Sequence, residues 1–184
     1  MKTLEELKAT CESCNSCPLH STRTNCVFGD GDPTARLMFV GEAPGEVEDM
    51  RGIPFVGPAG KLLDLYLDAV GIDRREVYIA NILKCRPPRN RDPLPEEQDA
   101  CIGHLRDQVK IIRPKMIVCL GRIAAMKLIS PDYRITKEHG QIVKKGQFLM
   151  TAVYHPSALL RDPSKKEAMY LDMKNIKAVL DSLE

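Results

Sequence analysis

Four continuous apolar runs stand out along the chain: residues 37–40, 77–80, 116–120 and 148–154. Runs of this length without polar alternation suit strands buried on both faces of a parallel sheet. Helical spacing fills the gaps between them. Leu62, Leu63, Tyr66, Leu67 and Val70 predict a helix from Pro58 to Val70, stopped by Gly71. A second is expected from Pro95 to Ile112, ended by Pro114, and a short third from Gly121 to Ile129. Met169, Met173, Ile176, Val179 and Leu180 mark a last one from Lys165 to Leu183, and a short first helix is expected over about Lys2 to Cys11. Strands alternating with helices predict an α/β protein, a three-layer α/β/α sandwich with a mostly parallel central sheet of four to five strands. Residues 141–154, interrupted by Lys144-Lys145-Gly146, read as a hairpin adding an edge strand. Residues 12–33 read as turn-rich, and there is no repeat.

The polar residues that follow these strands carry the first functional signal. Glu42 follows the first run, Asn81 the second, Gly121 the third and His155 the fourth. Ligands of open parallel sheets bind beyond the carboxyl ends of the strands, so Glu42, Asn81 and His155 are expected to converge on one cleft. The plainer alternative is that loops after strands are polar in any case.

Composition narrows the class without naming a function. At 184 residues, 43% hydrophobic and 28% charged, the chain fits one globular domain over 1–184. No apolar run approaches the ~20 residues a membrane span requires. MKTLEELKATCE lacks the apolar core of a signal peptide, so a cytoplasmic location is expected. The net charge of +2 excludes a strongly cationic protein but not a local basic patch.

Seven cysteines need a reason. An odd count in a cytoplasmic chain argues against a disulfide framework and for metal ligation. Cys14 and Cys17 form a C-x2-C pair, Cys85 follows the second strand, and Cys101 lies in the next helix. Such a quartet can supply a four-thiolate site. Zinc would normally show two C-x2-C knuckles, so the uneven spacing leans away from it. Cys11 extends the series and is an alternative to Cys14. Cys119 belongs to a strand and reads as core, and Cys26 has no assignment.

Three segments carry the rest. Gly41-Glu42-Ala43-Pro44-Gly45 leads on to Pro54-Phe55-Val56-Gly57, a glycine-rich turn after a strand with Phe55 placed to stack on a base. It is not the dinucleotide fingerprint. Asn81-Ile82-Leu83-Lys84-Cys85-Arg86 offers an amide for bidentate recognition of a pyrimidine edge. The run Lys84, Arg86, Arg89 and Arg91 suits phosphates, with a solvated basic loop as the alternative. His155-Pro156-Ser157-Ala158-Leu159-Leu160-Arg161 offers a histidine able to donate to developing negative charge, Ser157 to hold a phosphate, and a Leu159-Leu160 wedge for a base stack.

Taken together these segments closely resemble the iron–sulfur (family 4) uracil-DNA glycosylases of bacteria and archaea, over nearly the whole chain. The resemblance implies a [4Fe–4S] cluster on Cys14, Cys17, Cys85 and Cys101. It also implies that Asn81 reads uracil's edge, Phe55 stacks on the ring, and the Ala43-Pro44 backbone lines the pocket. The implied substrate is uracil in single- or double-stranded DNA, and the implied reaction is hydrolysis of the bond to deoxyribose. His155 is expected to stabilise the departing base. The classical uracil-DNA glycosylases have an Asp where this chain has Ala43, so Glu42 is expected to orient or activate water, with Glu48 in reserve. Glu42 and His155 are thus the expected catalytic pair. Lys84, Arg86, Arg89, Arg91, Ser157, Leu159 and Arg161 are the expected DNA contacts. The cluster is expected to be structural and the protein a monomer.

Overall fold

The computed structural model describes residues 1–183. Its six strands are β1 (Asp30–Gly31), β2 (Leu37–Gly41), β3 (Tyr78–Asn81), β4 (Met116–Leu120), β5 (Val143–Lys145) and β6 (Phe148–Val153). They form one sheet in the order β1-β3-β2-β4-β6-β5. The four apolar runs make the parallel centre, with Phe39 paired to both Ile79 and Val118, and Val118 to Thr151. Both edges are antiparallel. The β5–β6 hairpin is the edge strand expected from the sequence. β1 was not expected: two residues in a Gly-Asp-rich turn carry no apolar signal, yet Asp30 and Gly31 pair with Ile79 and Tyr78. The sheet therefore has six strands rather than four to five.

The helices are α1 (Leu4–Glu12), α2 (Glu46–Arg51), α3 (Pro58–Ala69), α4 (Pro95–Ile112), α5 (Arg122–Leu128), α6 (Ile135–Glu138), α7 (Pro156–Arg161) and α8 (Lys166–Ser182). The period-two pleat explains the layering. Leu37, Phe39, Ile79 and Val118 point to one side, where α3 supplies Leu63 and Leu67 and α8 supplies Met169, Met173 and Ile176. Met38, Val40, Ile117 and Cys119 point to the other, under Ile102 and Leu105 of α4 and Ala124 and Ala125 of α5. Cys119 is core, as its place in a strand suggested. Among the described residues no helix is long and apolar enough to cross a membrane.

The chain runs from β2 outward to β3 and then crosses back to β4 on β2's other side. Connections diverge at this point, leaving a crevice beyond the carboxyl ends of β2 and β4. Glu42 and Gly121 are the first residues past those two strands.

Candidate active site

A cleft of about 510 Å³ opens at that crevice and brings together Glu42, Phe55, Asn81 and His155. The convergence expected of Glu42, Asn81 and His155 from three separated strand ends is therefore present, with the Ala43-Pro44 backbone in its wall.

Close approach at the floor depends on glycine. A Cβ on Gly41 would sit 2.5 Å from Asn81 Oδ1 and 2.6 Å from Phe55 Cζ, so only a bare backbone lets the amide and the ring meet there. Asn81 ends β3 and is buried, and its Oδ1 has no hydrogen-bond partner in the protein. An unpaired buried amide oxygen costs about 1–3 kcal/mol and is maintained at sites that await a donor.

Phe55 is held in a left-handed conformation, φ 53°, which is strained for an aromatic residue. Arg74 holds it there: Nη1 donates to Phe55 O and to Asp64 Oδ1, both at 2.7 Å, and Nη2 donates to Pro54 O at 2.7 Å. The ring lies 5.6 Å from the His155 ring, tilted by 34°. Arg74 was missed in the sequence because nothing local ties it to a loop about twenty residues earlier.

His155 caps α7. Its Nδ1 accepts from the Ser157 N–H at 3.1 Å and lies 2.7 Å from Ser157 Oγ. A nitrogen that accepts a backbone N–H carries no proton, so the neutral ring bears its hydrogen on Nε2. Burial, helped by Arg161, pushes the pKa down to about 4, which keeps the ring neutral at physiological pH. Ser157 is thus placed to orient the imidazole, and its hydroxyl is not free for a phosphate.

Glu42 is a second titratable group in the cleft wall. Desolvation raises its pKa to about 7, with Asp92 adding to the shift while Arg122 and Arg161 oppose it. Arg122 and Asp92 are themselves paired at 3.3 Å. Neither residue stood out in the sequence, since Asp92 comes from the loop before α4 and Arg122 from the start of α5, which only the fold brings to β2. Glu48 lines the cleft as well, but its Oε2 accepts the Gly57 N–H at 2.9 Å and pins the loop carrying Phe55.

Besides Ser157, two expected DNA contacts are corrected by the structure. Lys84 is 1% exposed, and its Nζ donates to Phe28 O at 3.0 Å and Gln108 Oε1 at 2.7 Å. It faces inward beneath the strand end and cannot reach a phosphate. Leu159 is fully buried among Met169, Met173 and Tyr66, whereas Leu160 is 51% exposed and lines the cleft. Of the two leucines expected as a wedge, only Leu160 is exposed at the cleft. Leu159→Ala is expected to cost about 2–5 kcal/mol of stability. Leu160→Ala is expected to stay within about 0.5 kcal/mol of the wild-type stability. Thermal unfolding checks both.

Of the other expected basic contacts, Arg91 and Arg161 line the cleft. Arg86 donates from Nε to Asn90 Oδ1 at 2.7 Å, and Arg89 is exposed. Buried Glu97 grips Arg91 in a two-pronged pair at 2.7 and 2.9 Å.

Behind this loop lies a second cavity, lined by Cys14, Cys17, Cys85 and Cys101 and also by Arg23 and Cys11. Cys85 Sγ accepts from Arg23 Nη1 at 3.1 Å, and Cys101 Sγ from the Lys84 N–H at 3.3 Å. Burial pushes the Cys85 thiol up to about 11 and raises Cys101 too. Among the described residues no three His, Cys, Asp or Glu side chains close on one point as a single metal ion requires. The four thiols stand around a void instead.

With the fold and cleft described, the chain can be placed. The Uracil DNA glycosylase superfamily profile matches residues 28–178, and the chain belongs to that superfamily. It is 44% identical to a type-4 uracil-DNA glycosylase of Archaeoglobus fulgidus, over 96% of this chain and 92% of the relative. It is 46% identical to one of Thermotoga maritima, over 90% of each chain. A type-5 uracil-DNA glycosylase of Pyrobaculum aerophilum is 34% identical over 70% of this chain and 64% of its own length.

Proposed function

We propose that this protein hydrolyses the N-glycosidic bond of deoxyuridine in DNA, releasing uracil and leaving an abasic site. The observation that carries the reading is the unpaired Asn81 Oδ1, buried at the floor of a cleft whose wall holds Phe55. Uracil presents a ring N–H beside a carbonyl oxygen. An amide matches that pair with one acceptor and one donor, while Phe55 supplies a flat face for stacking. Membership of the superfamily and the printed names of the type-4 relatives support the same substrate.

A base must leave the stack before it can enter such a cleft. Leu160 at the rim is the residue to fill the gap, and Arg86, Arg89 and Arg161 are the cations for flanking phosphates. As the glycosidic bond lengthens, negative charge builds on the base and positive charge on the sugar. His155 donates from Nε2 to the base anion, and Glu42 holds or deprotonates water beside the sugar cation. Incubation with a uracil-containing oligonucleotide is expected to yield free uracil and an alkali-labile site. Tight binding without base release would overturn the reading. Asn81→Ala is expected to lower kcat/KM about 10- to 100-fold, the worth of one to two buried hydrogen bonds, when measured on the same oligonucleotide.

Cys14, Cys17, Cys85 and Cys101 are the residues that would hold a [4Fe–4S] cluster. Their chemistry fits: four sulfurs border one void, and an arginine and an amide N–H point at two of them as they would at thiolates. Ligation also relieves the cost of burying Cys85 and Cys101 as ionised thiols. When bound, the cluster would tie the segment after α1 to the residues flanking the Arg86–Arg91 loop, a structural task. Cys85→Ala is expected to lower iron and sulfide content and the unfolding temperature, checked by metal analysis and calorimetry.

A further inference from the structure

Cys11 and Cys26 belong neither to the cleft nor to the four-thiol set, yet their sulfurs lie 3.1 Å apart. Cys11 sits on the last turn of α1, buried against Leu7 and Phe28. Cys26 lies on the segment leading to β1 and is the more exposed of the two. The chain between them carries Cys14, Cys17 and Arg23. Arg23 crosses the interior of this loop, donating from Nη1 to Cys85 Sγ at 3.1 Å and from Nη2 to Glu12 O at 2.6 Å. One contact between two sulfurs therefore stands where a bond would close a ring around half of the four-thiol set.

We infer that Cys11 and Cys26 form a reversible disulfide that locks the Cys14–Cys17 segment onto the body of the protein. The oxidant is a small-molecule disulfide, such as oxidised glutathione. The Cys26 thiolate attacks one of its sulfurs and expels the other half as a thiolate, leaving a mixed disulfide. Cys11, already in contact, then attacks Cys26 Sγ and expels the second half. Two protein thiols are oxidised to one S–S bond, one small disulfide is reduced to two thiols, and the two protons leave with them. Residue exposure sets the order, because Cys26 is reachable and Cys11 is not. In a reducing compartment such a pair stays open and closes only when the thiol pool is oxidised. The ring removes excursions in which Cys14 and Cys17 swing away from Cys85 and Cys101. That consequence rests on the cluster reading above; the bond itself does not.

The test uses the intact, iron-loaded protein equilibrated with oxidised and reduced glutathione over a range of ratios. Free thiols are then blocked with a maleimide under denaturing conditions, and the protein is digested without reduction. The expected product is a cross-linked peptide joining Cys11 to Cys26, lost on adding dithiothreitol and absent from the Cys26→Ser variant. Maleimide on both residues at every ratio would overturn the inference, as would Cys26 joined only to Cys14, Cys17 or glutathione. Iron release to a chelator is expected to be about tenfold slower in oxidised than in reduced wild type, since the closed ring limits opening of the segment. In Cys26→Ser the two rates should coincide. Equal rates in cross-linked and reduced wild type would overturn the locking role. A cross-link formed in protein that never holds iron would sink the cluster reading and support the bond alone.

Discussion

Replacing His155 with alanine is expected to lower kcat about 10²- to 10³-fold, the typical loss when one preorganised donor to a developing anion is removed. Affinity for uracil-containing DNA should change little, because the charge His155 meets exists only as the bond breaks. Hydrogen bonding fixes the tautomer: Nδ1 accepts from Ser157 N–H, so Nε2 carries the only proton. Burial keeps the ring neutral above about pH 4. A neutral donor gives no titration limb in kcat between pH 5 and 9 from this residue, whereas a cationic one would. The substitution also removes the side-chain cap of α7, worth about 0.5–2 kcal/mol, so the unfolding temperature should be measured alongside. His155→Asn keeps a capping side chain and separates the two effects. A His155→Ala enzyme with near wild-type kcat would reject the donor role.

How far the sequence announced this site depended on whether the deciding neighbour was local. Three of the four central strands are apolar runs leading to a polar residue, so Glu42, Asn81 and His155 could be placed at one sheet edge before any coordinates. The residues that tune them come from far away in the chain. Asp92 reaches Glu42 from the loop before α4 and Arg122 from the start of α5, and Arg74 reaches Phe55 from a turn beyond α3. Lys84 shows the same limit in reverse. Within a run containing Arg86, Arg89 and Arg91 it reads as one more cation for DNA phosphates. Its acceptors are Phe28 O and the Gln108 side chain on α4, and they become visible only when α4 packs across the sheet. Leu159 and Leu160 are adjacent in a short helix, where a shift of one residue turns a side chain about 100°. The pair was legible as apolar, but which leucine faced solvent was set by how α7 docks on α3.

The cleft's second carboxylate logic gives the other large effect. Glu42→Gln is expected to lower kcat about 10²- to 10⁴-fold, the range for loss of a general base, with DNA affinity retained. Desolvation and Asp92 hold the wild-type group near 7. The carboxylate is the acting form, present above that value and lost as pH falls through it. The wild-type kcat should therefore rise with pH across about 7 and level off above. The Gln variant should lack that limb, because an amide does not titrate there. Asp92→Asn supplies a check a merely structural Glu42 would not pass: removing the neighbouring negative charge lowers the Glu42 pKa, so the limb should move to lower pH while the plateau stays. Should Glu42→Gln match wild type at every pH, water needs no base here. Bond breaking would then be dissociative, driven by His155 at the departing base and by the surrounding negative charge at the sugar cation.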